Sequence, residues 1–114
     1  MKKEYAKLPV TFKRQWLKAL RSGKYDKGVG YLKQETPGKC KWCCLGVAAD
    51  ICNVKGIKDD LQYIQRKKGL RGITKVPNIL IGDANENNIV NRLVNLNDKN
   101  KTFEKVITWI EKNL

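Results

Sequence analysis

Residues 43–52, "CCLGVAADIC", constrain the fold of this chain more than any other stretch. Read as a helix, the segment is apolar on every side, so other elements must enclose it. That places it at the centre of the core. Asp50 is its one charged residue. Near the helix end, Asp50 is expected to pair with a backbone amide or a lysine; the alternative is that it faces a polar pocket.

The rest of the chain has to supply the elements that wrap this segment. "PVTFKRQWLKALRSG" is an amphipathic helix with Thr11 as N-cap and Gly23 as its stop. Phe12, Trp16, Ala19 and Leu20 share one face, and Arg14, Lys18 and Arg21 form a cationic ridge on the opposite one. Near the other end, Thr102 caps "FEKVITWIEKNL", where Phe103, Val106, Ile107, Ile110 and Leu114 make one stripe. "NIVNRLVNL" is a short helix burying Ile89, Leu93 and Leu96, followed by a loop, "NDKNK". Pro77 opens a single helical turn.

Between the first helix and the apolar segment, Gly28, Gly30, Pro37 and Gly38 break any helix, and Tyr31 to Gln34 read as a short strand. Residues 54–76 read as a basic β-hairpin, with a short helix begun at Asp59 or Asp60 as the alternative. The expectation is one α+β domain over residues 1–114. Its helices lie near 11–22, 43–52, 87–96 and 103–113, and a small basic ribbon comes from 25–35 and 61–76. No apolar run approaches the ~20 residues that span a bilayer, and the N-terminus lacks the apolar core of a secretory signal. A cytoplasmic protein with reduced cysteines follows as the expectation.

All four cysteines, Cys40, Cys43, Cys44 and Cys52, fall in one short stretch. C-x-x-C at 40–43 is half a zinc knuckle, but the chain has no histidine and no second C-x-x-C. Packing is the favoured role, because a reduced cysteine behaves as a small hydrophobe. Cys40 is expected to be the least buried of the four, and neither metal nor cofactor is expected. Lack of histidine also removes the Ser-His and Cys-His pairs and the neutral imidazole base. Carboxylates are sparse where the chain is most basic, so metal-dependent hydrolysis is disfavoured and no enzyme activity is assigned.

Charge then indicates the partner. The formal net charge is +13: residues 1–42 carry +9 and residues 61–82 carry +5, while residues 43–60 come to −1 and residues 83–114 are neutral. Two basic blocks beside a neutral third read as a footprint for an anion. Aromatic residues interleave with the cations, as phosphate neutralisation and base stacking require. The candidate ligand residues are Arg14, Lys18, Arg21, Lys24, Lys27 and Tyr31, with Lys67, Lys68 and Arg71 as a second group.

Three segments also carry a likeness: "WLKALRSGKYDKGVGYL", "CCLGVAADI" and "LVNLNDKNKTFEKVITWIEKNL". In order and spacing they resemble a family of small phage and prophage proteins of unassigned function. The likeness covers about half of the chain. It implies a phage or bacterial origin and life in the host cytoplasm, and it brings no catalytic or binding residues with it. The function expected on this footing is counter-defence: binding and sequestering a cyclic nucleotide immune signal without catalysis. The alternatives are a nucleic-acid-binding accessory protein and a basic inhibitor docking on an acidic host protein. No membrane partner is expected, and self-association is left open.

Overall fold

The computed structural model describes residues 7–29, 32–52, 76–81 and 88–114. The architecture is α+β, with four α-helices and a three-stranded sheet. The first helix, α1, runs Val10–Arg21 and buries Trp16, Leu17 and Leu20. Thr11 is not its cap. The chain enters through Pro9, whose restricted φ suits a helix start, and no side chain caps the first turn. Gly23 does close the helix, in the left-handed region at φ +78°.

Strand β1, Asp26–Lys27, pairs in parallel with β3, Lys39–Trp42, which pairs antiparallel with β2, Lys33–Thr36. The order is β1-β3-β2. Gly38, at φ +80°, turns β2 into β3. The observed ribbon therefore includes residues 39–42, which the sequence pattern does not mark as extended. Its expected second half, 61–76, lies outside the described residues apart from Val76.

Helix α2, Cys44–Ile51, is the apolar segment and sits at the centre of the core, with residues 44–49 buried. Cys43 is its N-cap, and the Cys43 sulfur accepts the Gly46 amide at 3.4 Å. Gly46 sits so close to the preceding chain that a Cβ there would lie 1.8 Å from the Leu32 carbonyl oxygen. A 3-10 turn, Asn78–Leu80, follows Pro77 as expected. Helix α3, Asn88–Lys99, buries Ile89, Val90, Leu93 and Asn97. It runs on through Asn97, Asp98 and Lys99, the first three residues of the expected loop, and Asn97 is held inside rather than solvated. Helix α4, Glu104–Asn113, packs with its flanks through Phe103, Val106, Ile107, Ile110 and Leu114, as the stripe requires. The Leu8 amide donates to the Leu114 carbonyl, so the two ends of the described chain meet.

One buried side chain ties three distant segments together. The Asn97 Oδ1 accepts the Cys44 amide at 3.1 Å, and its Nδ2 donates to the Gly28 carbonyl at 3.0 Å. The first amide of α2, an orphan by helix geometry, is thereby satisfied from α3. On the other side of Cys44, its carbonyl accepts the Trp16 indole N–H at 3.0 Å. Trp16, Gly28, Cys44 and Asn97 thus meet in one junction. Among the described residues no helix is long and apolar enough to cross a membrane.

Candidate functional site

A cleft of about 380 Å³ opens where α1 ends, β1 begins and α4 starts. Its floor is apolar: Leu20 from α1, with Phe103 and Ile107 from the start of α4, all three buried. Cations stand around it. Arg21 is the last residue of α1, Lys27 belongs to β1, and Lys101 precedes α4. Tyr25 supplies an aromatic edge, and the carboxylate residues Asp26 and Glu104 also line the opening.

Local structure fixes each wall. Gly23 reverses the chain between α1 and β1. Gly28, just past β1, is held by its amide on the Trp42 carbonyl at 2.7 Å and by its carbonyl on Asn97. A Cβ at Gly28 would lie 2.8 Å from that of Lys41, so only glycine lets β1 approach β3 here. The Lys27 ammonium donates to the Asn97 carbonyl, which pins it beside the cleft. On the opposite wall the Thr102 hydroxyl accepts the Glu104 amide at 3.4 Å, which aligns the first turn of α4. Thr102 is therefore not the N-cap expected of it: Phe103 holds that position, and Thr102 bonds the helix start from one residue before it. The positive end of the α4 dipole lies at the cleft.

Arg21 bonds Glu111 at 2.8 Å, with both side chains about half exposed. An exposed pair of this kind is worth little, so Arg21 can turn to another anion at small cost. Arg14, Lys18 and Lys24 are solvent-exposed and do not line the cleft. The helical ridge from Arg14 through Lys18 reaches the cleft only at Arg21. Tyr31, Lys67, Lys68 and Arg71 lie outside the described residues. Lys101 and Phe103 escape a reading of the sequence, because their segment carries no net charge and enters the site from about eighty residues away; the helix start after Thr102 is the signal that points there.

Asp50 has a partner that the sequence does not suggest: the Tyr25 hydroxyl donates to its carboxylate. Burial, this hydrogen bond and the carboxylate charge, in that order, all push the Tyr25 phenol above its ordinary value of 10.0. Its ring meets Trp42 edge-on at 5.2 Å between centroids, and the buried Lys33 places its ammonium 5.0 Å from the Trp42 ring centroid. Trp42 therefore packs as core and is not a free stacking platform.

The cysteines form part of the core wall. Cys43 and Cys44 are fully buried; Cys40 and Cys52 are both partly exposed. Cys40 to Cys43 runs along extended chain, so their Cα atoms stand roughly 10 Å apart at about 3.3 Å per residue. A disulfide needs under about 7 Å. Among the described residues no three His, Cys, Asp or Glu side chains gather as a metal site.

Residues 9–75 match a family model described as "Domain of unknown function (DUF8296)", and the chain belongs to that family. No curated protein and no solved structure matches it.

Proposed function

We propose that this chain binds a phosphate-bearing nucleotide in the cleft between α1, β1 and α4 without turning it over. The carrying observation is the pairing of three cations, Arg21, Lys27 and Lys101, with an apolar floor at the positive end of a helix. Cations and a helix N-terminus suit phosphate. Leu20, Phe103 and Ile107 offer a dry surface to a base, and the Tyr25 ring an edge. The volume lies at the small end of the ~300–1,000 Å³ typical of ligand sites. It suits a single nucleoside phosphate, or one unit of a larger cyclic nucleotide. On this reading the protein is a phage or prophage counter-defence factor that sequesters a nucleotide immune signal in the host cytoplasm.

Calorimetry against mononucleotides and cyclic di- and trinucleotides tests this, with the ligand released by heat and checked for integrity. Saturable binding and intact recovery are expected; a cleaved product would make the protein an enzyme. Arg21→Glu combined with Lys101→Glu is expected to abolish capture, because both residues line the cleft. If that double variant binds unchanged, the cleft is not the site. A second reading rests on Arg14 and Lys18, which are exposed and lie outside the cleft. They suit a nucleic-acid backbone. Binding only to long DNA or RNA, with a steep salt dependence, would favour that accessory role.

A further inference from the structure

We propose that the cleft selects ribonucleotides over deoxyribonucleotides, with Asp26 and Glu104 accepting hydrogen bonds from the sugar hydroxyls; this rests on the nucleotide reading above. The cleft has two layers. The floor, Leu20, Phe103 and Ile107, is buried and apolar, whereas Arg21, Lys101, Asp26 and Glu104 are exposed at the rim. A rim that served phosphate alone would gain nothing from carboxylates. An ionised carboxylate only accepts hydrogen bonds, and it repels a phosphate.

Among the described residues neither carboxylate is hydrogen-bonded or ion-paired, so both acceptors are available to a ligand. They stand on different walls: Asp26 on β1 beside Lys27, and Glu104 in the first turn of α4, where its charge suits the helix dipole. A ligand filling this rim has to bring anionic oxygens and O–H or N–H donors side by side. With the base on the apolar floor, the part of a nucleotide left at the rim is the sugar phosphate. There the phosphate meets Arg21 and Lys101, and the hydroxyls meet the carboxylates. A carboxylate on a ribose 2′-hydroxyl is an established way of reading the sugar. A 2′-deoxy sugar leaves one of these carboxylates facing a C–H.

The test is calorimetry on the full chain with AMP, GMP, CMP and UMP, each beside its 2′-deoxy counterpart, at fixed ionic strength. The deoxy form of the best-bound base is expected to bind about tenfold more weakly, as for loss of one hydrogen bond to a charged acceptor. In Asp26→Asn with Glu104→Gln, that ratio is expected to collapse to about twofold or less, because ribonucleotide affinity falls toward that of the deoxy form. Both positions are exposed, and a thermal melt checks the fold; Glu104→Gln alone serves if the double variant melts early. Equal binding of ribo and deoxy forms overturns the sugar assignment and leaves the nucleotide reading standing. An unchanged ratio in the folded variant also overturns it. Failure of every nucleotide to bind overturns both.

Discussion

Replacing Asn97 by alanine removes a side chain that three segments share. Asn97 is fully buried. The Cys44 amide loses its 3.1 Å acceptor, at about 1–3 kcal/mol for a buried donor left unpaired. The Gly28 carbonyl loses its 3.0 Å donor but keeps the Lys27 ammonium at 3.5 Å, so its share is about 0.5 kcal/mol. The void left by the amide adds about 1 kcal/mol. The total, about 3 kcal/mol, is a large fraction of the 5–15 kcal/mol typical of a domain. Urea unfolding followed by circular dichroism reads it. With a slope of about 1.5 kcal/mol per molar, the midpoint falls by about 2 M. Asn95→Ala is the matched control, because Asn95 is exposed and, among the described residues, its side chain bonds only along its own helix to Asn91; it is expected to stay within about 0.5 kcal/mol. Equal effects at the two positions would refute the junction as a source of stability.

Other outcomes follow from single contacts. Gly46→Ala drives a methyl into the Leu32 carbonyl, backbone against backbone. It is expected to cost more than about 3 kcal/mol in thermal melts, whereas Gly23→Ala meets open space and costs about 1 kcal/mol for its positive φ. Tyr25 holds its proton longer folded than unfolded, so its contribution to stability is complete below pH 10.0 and is lost as pH rises above that value. Alkaline titration at the tyrosinate band should show a late phase that Tyr25→Phe deletes. A thiol reagent should label Cys40 and Cys52 in the native protein and reach Cys43 and Cys44 only on unfolding.

Elements whose apolar pattern is complete within one segment are legible in the sequence alone. The all-round apolar run over α2 and the stripe of α4 need no partner to be recognised. Strand β3 is hidden because "KCKW" is short and sets the exposed Lys41 beside a buried tryptophan, and its pairing with β1 and β2 is what extends it. Asn97 is hidden for a different reason. In "NLNDKN" it looks like any solvated amide, and only the approach of Cys44 and Gly28 gives it work inside. The site divides the same way. Arg21 and Lys27 stand out as cations, but the partners that shape a cleft with them, Lys101 and Phe103, are adjacent only in three dimensions.

The junction at Cys44 also sets an order of events for a chain made from its N-terminus. The hydrogen bonds of Asn97 to Cys44 and to Gly28 span 53 and 69 residues, and Leu8 waits for Leu114. Loop-closure entropy is lost before any of these contacts compensates it, which slows folding. Until α3 has been synthesised, the most apolar helix of the molecule has no acceptor for its first amide and no cover for the face that α3 will bury. During that interval the growing polypeptide exposes a hydrophobic surface that the finished protein never shows. The vulnerability that this surface brings to aggregation is therefore concentrated in translation and in refolding.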